Sequence, residues 1–406
     1  MLMTSLGTDR TTASVATRAT VLGVSLLLAL LAVISVMPAW SMSMLPFVLA
    51  TSELSPLLAV LTLVWLLVSR RFLARHRAWR AAVTVALLGT SVLTLRPLVQ
   101  ARHIAHRAQS DVLATDATGA LPPGARTTLS FAGLPSARDV REQDVGYVAA
   151  DGSPLAMRVF RNTEARGVQP ILVVLYGGAW RGGDPMQGAR VSRALAQHGY
   201  VVVAIDYRHA PRFTHPAQLD DVRRSLALVR DSAVGWHGDA ARIALLGRSA
   251  GGHLAELAAY APGDPPVQAV VALYAPWNLA DGYRDVPTPD PIGVRGVIGN
   301  FIGGTPDAMP ARYRDASPSS YVRPGLPPTL LLFGSRDHLV KPEFNRAAAM
   351  ALRAARGRVI AVELPWSEHG FDLVPAGLGE RLAYRTIVAF LDRELVEARA
   401  VSRRPR

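Results

Sequence analysis

The stretch ALLGRSAGGHLAELAAY, residues 244–260, places one serine between two glycines where two sequence patterns meet. The apolar run before Ser249 is typical of a buried strand, and the residues after it are typical of a helix. A turn this sharp has room only for small residues two before and two after its serine, and Gly247 and Gly251 occupy those positions. We therefore interpret Ser249 as a nucleophile. The alternative is a serine that only caps a helix.

The same alternation runs through residues 140–400, where apolar runs of strand length alternate with amphipathic segments of helix length. The strands are predicted at 170–176, 200–206, 242–247, 268–275, 328–334 and 359–365. The helices are predicted at 189–199, 218–233, 343–355 and 379–395, with a further helix that begins at Ala250. Continuous Val, Ile and Leu strands between helices are typical of a parallel sheet that is covered on both faces. The chain therefore has the pattern of an α/β, doubly wound, mostly parallel sheet, with its chemistry at the carboxyl ends of the strands.

A serine nucleophile needs a base, and the base needs an acid that orients it. After such a turn the expected chain order is serine, acid, histidine. Asp337 follows the predicted strand 328–334 and His369 follows the next one, so both are expected beside Ser249. Asp337 is favoured as the acid because it follows a strand–glycine turn. The competing acids are Glu363, Glu368 and Asp372.

The segment YGGAW, residues 176–180, follows the first of the predicted strands. Attack of a serine on an ester carbonyl develops a negative charge on oxygen, and N–H donors must be aimed at it. Gly177 and Gly178 have no Cβ and present bare amides, and Ala250 supplies another amide directly after the serine. These three residues are the predicted oxyanion hole. An ordinary glycine turn is the alternative.

The substrate pocket is predicted from bulky residues around this loop and from a segment between two strands. Tyr176, Trp180 and Trp277 are expected to form an apolar acyl or alcohol site. Residues 277–321 are rich in Pro, Gly and aromatic residues, and we expect this segment to cover the pocket and set specificity.

Eight short motifs between residues 145 and 395 resemble, in order, those of the α/β-hydrolase esterases of the hormone-sensitive-lipase-like and BD-FAE-like group, including prenylcysteine methylesterase-like members. The motifs are YGGAW (176–180), DYRHAP (206–211), LDDV (219–222), GRSAGGH (247–253), FIGGTP (301–306), ASPSSYV (316–322), GSRDHLV (334–340) and EHGF (368–371). One position departs from the pattern, since many relatives begin the first motif with histidine where this chain has Tyr176.

The resemblance implies an α/β-hydrolase catalytic domain at residues 141–398 that hydrolyses carboxylic esters. It assigns the catalytic roles to Ser249, His369 and Asp337, and it requires no metal or cofactor. The expected substrate is a small-molecule or lipid-like ester. Two alternatives stay open. The same residues also suit a peptidase, a formamidase or an acyltransferase, and an inactive hydrolase fold would make the chain a membrane scaffold.

The first hundred residues carry three apolar runs that predict membrane spans, at about 19–37, 45–68 and 81–99. The alternative for the first run is a cleaved signal peptide. Five arginines lie between the second and third spans, and no charge lies between the first and second. The positive-inside rule then puts the amino terminus in the cytoplasm and the catalytic domain on the extracytoplasmic side. If the third run does not span, the catalytic domain is cytoplasmic.

Composition excludes several classes of protein. The chain has 406 residues and a net charge of +13, but residues 1–110 and a basic tail at 399–406 carry most of the excess. The rest is nearly neutral and has no basic stripe with interleaved aromatics, so no nucleic-acid partner is predicted. With no cysteine, thiolate catalysis, disulfides and zinc–thiolate sites are impossible. Residues 101–140 are polar and are predicted to be a linker; the oligomeric state is not predictable.

Overall fold

The computed structural model describes residues 6–73, 76–113, 133–263 and 266–397. The chain divides into two compact units, and the boundary along the sequence lies between His103 and Ile104. The first unit is helical, and the second is built on one large sheet.

The amino-terminal unit contains helices α1 (Leu6–Ile34), α2 (Leu45–Glu53), α3 (Ser55–Phe72) and the first part of α4 (Arg77–Leu113). Three segments are long and apolar enough to cross a membrane, at Val15–Ile34, Ser55–Phe72 and Arg77–Val112. The predicted span at 45–68 is wrong as one helix, because the helical conformation is interrupted at Leu54. Pro56 explains the break, since it has no N–H to donate to the carbonyl four residues earlier.

The third apolar run forms a longer helix than predicted. Helix α4 continues through Pro97 to Leu113, so the linker predicted at 101–140 is wrong over its first thirteen residues. Residues 114–132 of that linker and the basic tail at 399–406 lie outside the described residues.

The outer faces of these helices are apolar. Leu26, Phe47, Leu67 and Val85 are 66–70% exposed. An apolar exterior around a packed helical interior is compatible with association with a membrane.

The second unit is built on a sheet of eight strands in the order β1-β2-β4-β3-β5-β6-β7-β8. Their bounds are β1 Val140–Val148, β2 Pro154–Asn162, β3 Gln169–Leu175, β4 Val201–Ile205, β5 Gly238–Arg248, β6 Ala269–Leu273, β7 Thr329–Gly334 and β8 Val359–Leu364. Strands β3 to β8 are parallel, and the β1–β2 hairpin joins β4 antiparallel. The six predicted strands and the fold class are confirmed. The hairpin was not predicted, because β1 carries charged residues and is nowhere fully buried.

Eight helices complete this unit among the residues described. They are α5 Ala189–His198, α6 Ala217–Ser232, α7 Ala250–Tyr260, α8 Leu279–Arg284, α9 Val294–Ile302, α10 Pro310–Asp315, α11 Pro342–Ala354 and α12 Leu378–Leu391. The short helices α8 to α10 fall inside the segment that was expected to cover the pocket.

The sheet order brings separate parts of the chain to one edge. Strands β5, β6, β7 and β8 are consecutive neighbours and parallel, and β3 lies on the other side of β5. Their carboxyl ends therefore lie side by side, and the loops that follow them form a continuous rim.

Candidate active site

The turn after β5 holds Ser249 in a backbone conformation that residues with a side chain rarely adopt. Its φ is +52° and its ψ is −121°. The Ser249 N–H donates to the carbonyl of Leu273 at the end of β6 (2.9 Å), and the residue stays partly exposed. Such strain persists only where the surroundings impose it, and it occurs most often at functional sites.

The two glycines around the serine are required by close backbone contacts. A Cβ on Gly247 would lie 2.1 Å from the carbonyl oxygen of Gly251. A Cβ on Gly251 would lie 2.3 Å from the carbonyl oxygen of Tyr176 and 2.4 Å from that of Leu175. The glycines therefore allow helix α7 to start directly against the end of β3, which brings the YGGAW loop to the serine.

His369 and Asp337 form a buried hydrogen bond across the loops that follow β8 and β7. His369 Nδ1 lies 2.8 Å from Asp337 Oδ2, and the carboxylate is almost completely buried. The other oxygen, Oδ1, accepts the N–H groups of Leu339 and Val340, both at 2.8 Å. A carboxylate accepts only, so it keeps the proton on Nδ1 and leaves Nε2 as the basic nitrogen.

Tyr274 links the serine to this pair. It follows Leu273, whose carbonyl accepts the Ser249 N–H, and its ring centroid lies 4.4 Å from that of the His369 imidazole. All three predicted catalytic residues therefore occupy the same rim of the sheet. Their roles in a reaction stay predictions.

A buried charged network that the sequence did not reveal lies under this site. Arg248, next to the serine, is 1% exposed and its Nε donates to Asp372 Oδ2 (2.6 Å). The other oxygen of Asp372 accepts the hydroxyl of Tyr274 (2.6 Å), and burial raises the pKa of that phenol. One sequence signal was available, since an arginine that ends a buried strand requires a buried counter-ion.

The predicted oxyanion loop lies against the serine, but one of its amides is occupied. A Cβ on Gly177 would lie 3.1 Å from Ser249 Cβ. The Gly177 N–H donates to Gln187 Oε1 (2.7 Å), and Gln187 Nε2 donates back to the Gly177 carbonyl (3.2 Å). Gly177 is therefore not a free donor in this structure, and the prediction for it is corrected. The two Gln187 hydrogen bonds hold the loop at Gly177, and Gly178 and Ala250 remain the candidate donors.

Gly178 and Ala250 sit in positions that suit a donor. Gly178 is exposed, and its φ of +147° with a carbonyl 1.9 Å from a hypothetical Cβ requires glycine. Ala250 is the first residue of α7, where the N–H groups have no partner within the helix.

The three aromatic residues predicted for the substrate pocket are all buried. Tyr176 donates to Asp206, and its hydroxyl also lies 2.8 Å from His209 Nε2. Trp180 stacks on Phe301 with ring centroids 4.3 Å apart, and Trp277 is 5% exposed. These rings therefore pack within the protein, and their contact with substrate stays a prediction.

His253, one turn after the serine, joins three parts of the fold. Trp180 Nε1 donates to its Nδ1 (3.2 Å), and its Nε2 lies 2.7 Å from the carbonyl of Ala316. Burial lowers the pKa of His253 to about 3, so the ring is neutral. Its N–H donates to the carbonyl of Ser249 (2.9 Å), so His253 packs against the turn and ties α7 to the segment that carries α8 to α10.

Comparison with known proteins agrees with this architecture. The BD-FAE family model matches residues 157–352. The carboxylesterase NlhH of Mycobacterium tuberculosis is 30% identical over 255 residues, which are 59% of this chain and 76% of NlhH. This chain belongs to the α/β-hydrolase esterases. The family assignment made from the eight motifs is thereby confirmed.

Two further comparisons define how far the similarity extends. The probable carboxylic ester hydrolase LipM of M. tuberculosis is 35% identical over 55% of this chain and 53% of LipM. A bacterial heroin esterase superposes with a TM-score of 0.57 at 24% identity, over 64% of this chain and 86% of its own, which shows the fold alone. The chain spans about half the length of the first curated relatives that it matches.

Proposed function

We propose that this protein is a membrane-anchored serine carboxylesterase. The observation that carries the proposal is the strained turn at Ser249, which lies on the same rim of the sheet as the buried His369–Asp337 hydrogen bond. The family relatives are named as carboxylic ester hydrolases and esterases, which favours esters over other acyl compounds.

In the first half of the reaction, His369 Nε2 takes the proton of the Ser249 hydroxyl as Oγ attacks the ester carbonyl. The Oγ–carbon bond forms, and the carbonyl π electrons move to the oxygen. The amides of Gly178 and Ala250 donate to this oxyanion. Collapse expels the alcohol, which takes the proton from His369 and leaves an acyl-serine.

In the second half, water replaces the alcohol. His369 Nε2 takes a proton from the water as it attacks the acyl carbon, and the carboxylic acid leaves as Ser249 regains its hydrogen. Asp337 holds the imidazole in the required tautomer in both halves and stabilises its transient positive charge. No step needs a metal or a cofactor.

The proposed substrates are small-molecule or lipid-like esters. Helix α9 brings Phe301 onto Trp180 beside the glycine loop, and Ala316 is bonded to His253 next to the turn at Ser249. The segment at 277–321 therefore packs around the site, and we propose that it covers the pocket and selects the acyl or alcohol group.

The decisive test uses the full-length protein in detergent micelles with short p-nitrophenyl esters. Ser249→Ala is expected to lower kcat by about 10⁴-fold or more, because the nucleophile is lost while the fold is kept. Ser153→Ala, in the β1–β2 turn, is the matched control and is expected to retain full activity. A fluorophosphonate probe is expected to label the wild type at Ser249 only.

Two results would overturn this assignment. Equal ester turnover by wild type and Ser249→Ala would remove the serine from the mechanism. An intact protein that neither turns over esters nor reacts with the probe would favour the inactive scaffold. Parallel assays with matched amides and formamides separate an esterase from a peptidase or a formamidase.

The membrane topology is a further part of the proposal. Three helices are long enough to span, and the arginines at the end of α3 and the start of α4 favour the cytoplasm. The catalytic unit is then extracytoplasmic. Because the chain has no cysteine, single cysteines report its sidedness without background.

The topology test compares Ser41→Cys, His76→Cys and Ser153→Cys in cells whose inner membrane is intact, treated with a maleimide that does not cross membranes. Labelling is expected at positions 41 and 153, and at 76 only after permeabilisation. Protection of position 153 in intact cells would place the catalytic unit in the cytoplasm and show that the third segment does not span.

A further inference from the structure

Two residues next to the proposed catalytic pair form a second acid–histidine pair that the mechanism does not use. Asp337 and His338 are adjacent on the loop after β7, and Glu368 and His369 are adjacent on the loop after β8. The pairs connect crosswise, because Asp337 bonds His369 while Glu368 bonds Nδ1 of His338. The two loops are therefore joined by two acid–imidazole contacts side by side.

Glu368 also binds the main chain of both loops. Its Oε2 accepts the N–H of His338 (3.1 Å) and the N–H of His369 (3.2 Å). The carboxylate is 1% exposed, so these contacts replace water as its solvation. One carboxylate thus fixes the residue that follows the acid and the backbone of the base itself.

The charge of this carboxylate is balanced locally. The hydrogen bond that His338 donates to Glu368 raises the pKa of His338, whose side chain is about one-fifth exposed. When His338 is protonated, it forms an ion pair with the buried carboxylate. Charge-assisted hydrogen bonds of this kind are stronger and hold their geometry better than neutral ones.

The loops already touch before they reach this pair. The Ser335 N–H donates to Leu364 (2.9 Å) and the Arg336 N–H donates to Ser367 (3.2 Å). A Cβ on Gly334 would lie 2.1 Å from the Ser367 carbonyl oxygen. These contacts align the strand ends, and the Glu368 contacts lie one to two residues further along, where the catalytic side chains begin.

We infer that Glu368 and His338 are positioning residues that set the His369–Asp337 geometry; this inference rests on the proposed esterase function. The pair touches neither the nucleophile nor the oxyanion donors in the contacts described. It acts by fixing the two backbones from which the acid and the base project. A displacement of about 1 Å in a catalytic group costs about 10²-fold in rate, so this alignment is worth a large factor in turnover.

The first experiment compares kcat and KM for the wild type and Glu368→Gln, as full-length proteins in detergent. The amide keeps the size of the side chain but loses the charge and one acceptor oxygen. We expect kcat to fall 10- to 100-fold with KM unchanged within twofold, because alignment of the base acts on the chemical step.

The matched control is Glu380→Gln. Glu380 is also buried, accepts a backbone N–H from Ala376 (2.8 Å) and pairs with Arg190 (2.7 Å), but it lies on α12 outside the catalytic loops. It is expected to lose stability without a tenfold loss of kcat. Equal losses of kcat in both variants would assign Glu368 a general structural role and overturn the inference.

A second readout does not depend on turnover. We expect the proton on His369 Nδ1 to give a low-field proton resonance, because it lies in a hydrogen bond to a buried carboxylate. We expect Glu368→Gln to shift or broaden this resonance and Glu380→Gln to leave it in place. An unchanged resonance together with unchanged kcat in folded Glu368→Gln would refute the positioning role.

The two proposals fail separately. If the wild type hydrolyses no ester, the proposed function fails, and the resonance comparison still decides the positioning role. If Glu368→Gln does not fold, His338→Asn replaces it, since this change keeps the carboxylate and both backbone contacts. We expect a 3- to 10-fold fall in kcat for His338→Asn, and wild-type kcat would overturn the inference.

Discussion

The two units bury polar groups in different ways. In the amino-terminal unit, the hydroxyls of Thr62, Ser91 and Thr94 each donate to the carbonyl four residues earlier in the same helix, at 2.8–3.0 Å. In the catalytic unit, the buried charges pair across the fold, and Arg248 bonds Asp372, which is 124 residues away. A local partner is present as soon as the helix forms, whereas a distant partner is present only in the complete fold.

This difference predicts where a single substitution does most damage. Removal of a distant partner leaves a buried charge without its counter-ion. Removal of a local hydroxyl leaves no buried polar group unpaired. Three substitutions of decreasing effect test the contrast.

The largest effect is expected for Asp372→Asn. Arg248 would keep its charge in a fully buried position without a compensating anion, and such a change costs about 3–5 kcal/mol of unfolding free energy. Urea unfolding of the full-length protein in detergent, followed by the fluorescence of the catalytic unit, measures it. Asp307→Asn is the control, because Asp307 is 91% exposed beside Arg284 and should change stability by about 0.5 kcal/mol or less. Similar losses of unfolding free energy in both variants would show that the buried pair contributes no more to stability than the exposed pair.

An intermediate effect is expected for Glu256→Gln on helix α7. The carboxyl is completely buried, its Oε2 has no hydrogen-bond partner within the described residues, and burial raises its pKa well above the usual value. The folded state therefore holds a proton that the unfolded state releases. Stability is full below the unfolded pKa and falls as the pH rises toward the folded pKa, by up to about 1.4 kcal/mol per pH unit.

We expect Glu256→Gln to flatten this dependence and to be more stable than the wild type at pH 8. Unfolding midpoints between pH 5 and pH 8.5 measure the slope. Glu343→Gln, a surface carboxyl on α11, should leave the slope unchanged. A wild-type slope in Glu256→Gln would mean that another group releases the proton.

The smallest effect is expected for Thr62→Val in helix α3. The Thr62 hydroxyl is fully buried and donates to Leu58 (2.8 Å), but that carbonyl already has a partner in the helix. Valine keeps the shape, so the change in stability is expected to be about 0.6 kcal/mol or less. The loss of helical circular dichroism on titration with SDS measures it. A loss comparable to that of Asp372→Asn would contradict the contrast between the units.

The elements that were predictable carry a local signature. The parallel strands are continuous apolar runs, and the turn at Ser249 has its glycines at fixed offsets, so the sequence alone placed both. The elements that were missed have weak or misleading local patterns. Strand β1 alternates charged residues at the sheet edge, and the run at 45–68 is apolar throughout although Pro56 divides it.

The predicted residues at the site also divide in this way. Asp337 and His369 follow strands whose order along the chain made their meeting predictable, and the structure brings them to 2.8 Å. Gly177 has the sequence of a free donor, yet Gln187 occupies its amide from ten residues away. Trp180 and Trp277 have the composition of an apolar pocket, yet they pack inside the protein. A side chain's partners depend on what the fold brings beside it.

By itself, the sequence determined the order of the strands and helices, the strained turn at Ser249 and the apolar character of the first hundred residues. These features follow from hydrophobic periodicity and from steric limits that act within a few residues. Only the tertiary structure decided the pairing of Glu368 with His338 beside the predicted Asp337–His369 pair, and the burial of Arg248 against Asp372. Those contacts join residues more than twenty positions apart, and their geometry exists only after the sheet has aligned the ends of its strands.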